Sequence, residues 1–331
     1  MKMILLLLLL PLTSTFILPP VDKPLLSGDA LSSYVNSAQS QFTIQHHPAN
    51  QHHRVMDDKY LTITDNTLPI KSTIADFIPS TFDSRINWPN CRTMGMIHNQ
   101  GGCAASWAMA AVSVMNDRIC IFTNETQDLQ PVLSAIDLIG CCGQTCGSEC
   151  NGGYPIQAFK YWMLKGIVTG GDYHGGDCQP YPYEPCDLPN GSCDDVLIQP
   201  TCVKHCMNVW DIFYPSDKHY GQDAYPVANN VAAIQTEIMT NGPVESTFRV
   251  FADFLDYKSG IYKQMGGNAR GSQAVKILGW GSENGVDYWL CANSWGVNFG
   301  EKGFFRIQRG TNECFIEDSV VAGKSRDFVG Q

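Results

Sequence analysis

The groups with the most chemistry in this 331-residue chain are its 14 cysteines. All lie between Cys91 and Cys314, most densely from Cys141 to Cys206. Thiolates at Cys141, Cys142, Cys146 and Cys150 could ligate a metal, but their spacing lacks the repeated CxxC pairs of structural zinc sites. In an oxidising compartment the same run becomes disulfide staples, and that is the reading adopted, with no metal and no other cofactor expected. Histidines cluster at His46, His47, His52 and His53, where they could sense acidification. A solvated linker accounts for that cluster equally well and is preferred. Ser106 opens a run rich in Ala, Met and Val, and a serine hydroxyl becomes a nucleophile only with a general base within hydrogen-bond reach.

The elements around these groups follow from periodicity and punctuation. Ser106 to about Cys120 reads as a buried helix. Pro155 to Leu164 reads as a second, with proline in its first turn and Gly166 just past its end. Asn230 to Met239 reads as a third, stopped by Asn241-Gly242-Pro243. Short runs rich in β-branched and aromatic residues follow at Val244–Val250, Ala274–Trp280, Tyr288–Ala292 and Gly303–Gln308, and they predict strands. An α+β protein of two lobes is expected, helical in its first half and a β-barrel or sandwich in its second, with a cleft between the lobes.

The N-terminus joins Lys2 to an apolar run from Ile4 to Leu10 and then small residues, the pattern of a secretory signal over residues 1–18. The run is too short to span a membrane. Residues 19–77 contain no cysteine and are polar, whereas Trp, Cys and Gly become frequent from Phe77-Ile78-Pro79 onward. A pro-segment (19–77) followed by a mature domain (78–331) is therefore expected. The sequons at Asn124 and Asn190 suit a secreted glycoprotein, destined for the extracellular space or a lysosome. A composition of 44% hydrophobic and 16% charged residues is that of a globular chain. The net charge of −10 disfavours nucleic acid or an anionic membrane as partner.

Beyond these readings the chain resembles the papain-like cysteine proteases, cathepsin B-like members in particular. Asn99-Gln100-Gly101-Gly102-Cys103-Ala104-Ala105-Ser106-Trp107 is similar to the family's nucleophile signature, C-G-[SA]-C-[WY], with Ser106 in the nucleophile's slot. Ala292-Asn293-Ser294-Trp295-Gly296 resembles its asparagine motif. In Ser272-Gln273-Ala274-Val275-Lys276-Ile277-Leu278-Gly279-Trp280-Gly281, Gln273 takes the place of the histidine. From Ser106 to Gln273 is 167 residues, longer than the ~130–150 of papain-like enzymes, and the Cys178–Cys206 stretch supplies the excess. Ile78–Arg85, Cys150–Pro155, Asp217–Gly221 and Asn241–Glu245 look like cathepsin B, and Leu31–Ile44 looks like its pro-segment.

The resemblance implies the pairs Cys91–Cys120, Cys103–Cys150, Cys141–Cys202, Cys142–Cys146, Cys178–Cys206 and Cys186–Cys193, leaving Cys291 and Cys314 as thiols. It gives Asn293 the role of orienting residue and Gln100 that of oxyanion-hole donor. It places Gly152, Gly153, Pro155 and Trp295 along the substrate cleft. Ser319 stands where the specificity pocket has an acidic residue, and Phe315 is expected to fill that pocket. Leu188-Pro189 replaces the histidines that hold a substrate's C-terminal carboxylate.

With neither thiol nor imidazole in its slot, the protein is expected to be a pseudoprotease. It would bind peptides, protein substrates, protease inhibitors or its own pro-segment without cleaving them. A weak or atypical peptidase and a structural extracellular glycoprotein are the alternative classes.

Overall fold

The computed structural model describes residues 23–47, 54–65, 67–125, 130–186, 199–207 and 212–326. The signal sequence, Asn190 and Leu188-Pro189 fall outside them. Among the described residues no helix is long and apolar enough to cross a membrane.

The helices gather mainly in the first half. They are α1 (Gly28–Ala38), α2 (Ser84–Asn87), α3 (Ser106–Phe122), α4 (Ala135–Cys142) and α5 (Pro155–Lys165), followed later by α6 (Val231–Asn241) and α7 (Ala252–Leu255). Every residue of α3 from Ser106 to Cys120 is buried. A helix apolar on all sides belongs at the centre of a core, and α3 is packed on by α4, α5 and the sheet. Proline at the first turn of α5 and Gly166 at φ 68° just beyond it mark its ends.

The strands are β1 (Phe42–Ile44), β2 (Phe82–Asp83), β3 (Gly221–Pro226), β4 (Val244–Phe251), β5 (Tyr257–Tyr262), β6 (Ala269–Glu283), β7 (Val286–Ala292), β8 (Phe304–Gln308) and β9 (Val321–Ser325). They form one sheet in the order β1-β5-β8-β7-β6-β4-β9-β3, with β2 added on β6. The sheet is open, ending on β1 and β3, which corrects the expected closed barrel. Period-two patterning tells which segments are strands, but closure depends on twist and register across the whole set. Here one end of the sheet is taken by β1, which comes from before residue 78, so that Phe42 faces Gly260.

Two buried charged contacts tie α3 to the sheet. Lys276 of β6 reaches Asp117 at 2.7 Å, and Asp117 also accepts from Thr93 Oγ1 at 2.7 Å. Arg118 reaches Glu237 of α6 at 2.9 Å and the Tyr225 hydroxyl at 3.0 Å. Disulfides join Cys91–Cys120, Cys103–Cys150, Cys141–Cys202, Cys142–Cys146 and Cys178–Cys206. Cys186 is also disulfide-bonded, and its expected partner Cys193 lies outside the described residues.

Candidate functional site

Ser106 is the first residue of α3, so its hydroxyl sits at the positive end of a helix. It is fully buried, and its Oγ accepts a hydrogen bond from the Ala274 N–H at 3.1 Å. Strand β6 thus brings position 273 beside position 106 across 167 residues of sequence. The Cys103–Cys150 disulfide and the bond from Ala104 N–H to Cys150 O (2.9 Å) fix the loop ahead of the helix.

The Gln273 side chain faces Gln100, Asn293 and Ser294. Its Nε2 donates to Gln100 Oε1 at 3.0 Å, Asn293 Oδ1 at 2.9 Å and Ser294 Oγ at 3.2 Å. Ser294 Oγ donates in turn to Gln100 Oε1 at 2.7 Å. Gln273 Oε1 and Asn293 Nδ2 are buried without a hydrogen-bond partner among the described residues. All four side chains are amides or hydroxyls, so none takes up or releases a proton at useful pH. Ser294 was not singled out in the sequence, although it lies inside the Asn293 motif.

Three of the described histidines have partners of their own. His98 Nδ1 is paired with Asp172 Oδ1 at 2.7 Å. Burial would raise the Asp172 carboxyl, but the charge and hydrogen bond of His98 outweigh it and hold the group down. His174 meets the Tyr173 ring at a tilt, and His219 is half-buried with its backbone paired to Ile167. The Cys291 and Cys314 thiols are free and buried, and burial pushes both well above the ordinary thiol range, where they stay protonated. Among the described residues no group of three or more His, Cys, Asp or Glu could hold a metal.

The cleft is threaded by the chain itself. Gln100 Nε2 donates to the Arg54 carbonyl at 3.0 Å as well as to Cys103 O at 2.8 Å. Met56 pairs with Ser272 through two backbone bonds of 2.8 Å each. Ser272 Oγ donates to Asp57 O at 2.8 Å, and Asp58 meets Arg249 at 3.1 Å. The Tyr60 ring lies on Gly152, and Ser319 Oγ donates to Leu61 O. Residues 54–61 therefore form a strap whose pattern, Val55-Met56 then Tyr60-Leu61 within a polar stretch, was the available sequence signal.

The expected cleft residues divide. Gly152 carries the strap: at φ 118°, a Cβ there would lie 2.5 Å from the Tyr60 ring. Gly153 instead turns toward the core, because its Cβ would meet the Trp107 ring at 2.6 Å. Pro155 is buried at the start of α5, and Trp295 is packed edge-on against Phe299. Phe315 does not fill a pocket; it is 42% exposed beneath the Arg249 guanidinium. The positive φ of 69° at Phe315 turns its side chain outward. Of the two glycosylation candidates, Asn124 is exposed just past α3.

Residues 78–324 match the profile of the papain family cysteine proteases. A gut-specific cysteine proteinase of Caenorhabditis elegans is 46% identical over 306 residues, covering 91% of this chain and 92% of that one. Cathepsin B-like cysteine proteinase 1 of Haemonchus contortus is 41% identical over 312 residues, covering 92% of this chain and 90% of its own. Among solved structures, procathepsin B S9 of Trypanosoma congolense superposes with a TM-score of 0.75 at 30% identity, covering 90% of this chain and 98% of the other.

Proposed function

The chain belongs to the papain family of cysteine proteases and is similar to its cathepsin B-like members, and from that premise we propose that it is a pseudoprotease that binds extended peptides without cleaving them. The observation that carries this reading is the pairing of Ser106, at the start of α3, with a Gln273 whose amide faces other amides. A papain-type site needs a thiolate held by an imidazolium at a helix N-terminus. A hydroxyl is hardly ionised near neutrality, and glutamine cannot take its proton. In a serine protease the loss of nucleophile or base costs about 10⁶ in rate, and losses within the unit are not additive.

Support for peptide binding comes from the strap. A stretch of ordinary polypeptide is held by backbone pairing at Ser272, by a glycine shelf at Gly152 and by the Gln100 amide. Strand-like backbone pairing of this kind accepts many sequences, while side-chain pockets select among them. In this reading residues 19–77 are a pro-segment, and only a different protease removes it. The protein acts in the secretory or lysosomal route, with peptides or protease inhibitors as its ligands.

The test is hydrolysis of a fluorogenic dipeptide by chain folded whole, cut within the exposed 72–77 segment and freed of its N-terminal piece in mild denaturant. It is run beside Ser106→Ala and the double variant Ser106→Cys, Gln273→His. A silent parent with an active double variant is the expected outcome. Parent activity that disappears in Ser106→Ala would establish serine catalysis and end the pseudoprotease reading.

A further inference from the structure

We propose that Gln273 is a positioning residue: it holds the Gln100 carboxamide with its N–H₂ toward the cleft, so that the old histidine position now serves to grip a peptide carbonyl. The inference rests on the reading above, that the cleft binds peptide, and assigns a task to the residue that reading treats only as a loss.

The argument is one of donors and acceptors. A carboxamide has two chemically different ends, and rotating it by half a turn exchanges donor for acceptor. Gln100 Oε1 accepts from Gln273 Nε2 at 3.0 Å and from Ser294 Oγ at 2.7 Å. Its two acceptor sites are thereby filled. Nε2 must then point the other way, where it meets Cys103 O at 2.8 Å and the Arg54 carbonyl at 3.0 Å. In the flipped orientation an oxygen would face those two carbonyls, an arrangement with no hydrogen bond at a site that excludes water. Gln100 and Gln273 are 1% and 0% exposed, so solvent cannot repair the mismatch.

Glutamine suits this task better than the titratable groups of similar size. Its Nε2 is held by Asn293 Oδ1 at 2.9 Å, which presents a donor toward Gln100 at every pH. A carboxylate at 273 would put negative charge against Gln100 Oε1 and Asn293 Oδ1 and favour the flipped Gln100. A protonated carboxyl has one donor and restores the native orientation. The side-chain partners of Gln273 are neutral. The charged groups on the surrounding segments are His98 with Asp172, Lys276 with Asp117, Arg249 with Asp58, and Arg54 and Asp57 of the strap.

The experiment uses the intact chain, isotopically labelled, with its own strap as the bound peptide. Nuclear magnetic resonance reads the scalar coupling across the hydrogen bond from Gln100 Nε2 to the Arg54 carbonyl carbon. Hydrogen exchange of the Met56 amide, which donates to Ser272 O, reads how firmly the strap is seated. The parent should show the coupling from pH 5 to pH 8, and this series accounts for the surrounding charged groups. Gln273→Leu should weaken it and speed Met56 exchange about tenfold, the scale of one lost buried hydrogen bond. Gln273→Glu should show the coupling at pH 5 and lose it at pH 8, a reversal that a merely space-filling residue would not produce.

An undiminished coupling in Gln273→Leu, or a Gln273→Glu protein indifferent to pH, overturns the proposal. So does a parent without the coupling. If Gln273→Leu does not fold, the Gln273→Glu pH series alone decides. Failure of the peptide-binding reading is separate: a free peptide of residues 54–61 would not bind the chain cut at 72–77 and freed of its N-terminal piece, whatever the state of Gln100.

Discussion

At the scale of single residues, the last position of the cathepsin B-like stretch Asn241–Glu245 is a buried carboxyl. Strand β4 alternates, and Arg249 on one face reaches Asp58 of the strap. Glu245 and Thr247 lie on that same face, fully buried, and the Glu245 carboxyl has no hydrogen-bond partner among the described residues. Burial pushes Glu245 well above the ordinary carboxylate range. In the unfolded chain it ionises near pH ~4.3. The stability tied to its protonated form is therefore complete below that pH and is lost as pH rises toward the folded value. Glu245→Gln should raise the melting temperature at pH 7.5 by several degrees and have little effect at pH 3.5, as scanning calorimetry at the two pH values would show.

At the scale of elements, each contact between α3, β6 and the strap serves the geometry around Ser106. Lys276→Met would leave Asp117 buried without its cation. Such a break costs about 3–5 kcal/mol, and urea titration should show a loss of that order. The glycine pair offers a sharper contrast. Gly152→Val puts a methyl group into the Tyr60 ring and strains a backbone at φ 118°. The strain is worth roughly 1–3 kcal/mol. Limited proteolysis should then cut within 54–65 much sooner, with the disulfide-linked core resistant. Gly153→Val presses on Trp107 and should lower the melting temperature of the whole domain instead.

For the molecule as a whole, the N-terminal segment is anchored on both sides of the strap as well as through it. His46 meets Asp256 at 3.0 Å, β1 adds to the sheet, and Lys160 pairs with Asp65. The hydrogen bond from Lys160, and then those from Thr67, hold the Asp65 carboxyl far below its usual range. A depressed carboxylate contributes above its unfolded pKa and is lost only as pH falls through the folded value. That window lies below pH ~4, so acidification to pH 4.5 leaves this anchor in place. Size-exclusion chromatography at pH 4.5 of chain cut within 72–77 should find the N-terminal piece still bound. Its release at that pH would show that the other contacts, not Asp65, govern retention.

Much of this was readable from residue order alone. Side-chain type and spacing are local properties, so the α3 helix and the β6 strand could be placed without coordinates. The assignment of Ser106, Gln273 and Asn293 to catalytic slots rests on residue identity at matched positions and belongs to the proposal. What only the tertiary structure decided were matters of direction and closure. Gly152 and Gly153 are adjacent and chemically identical, yet one faces the strap and the other the Trp107 ring, because successive backbone positions turn to opposite sides. The sheet stays open because β1 and β3 end up at opposite edges, a result of register summed over nine strands. Nor could the sequence show what Gln273 faces. Its partners come from residues 100, 293 and 294, and a hydrogen-bond network among distant side chains exists only once the backbone has brought them within 3 Å or so of one another.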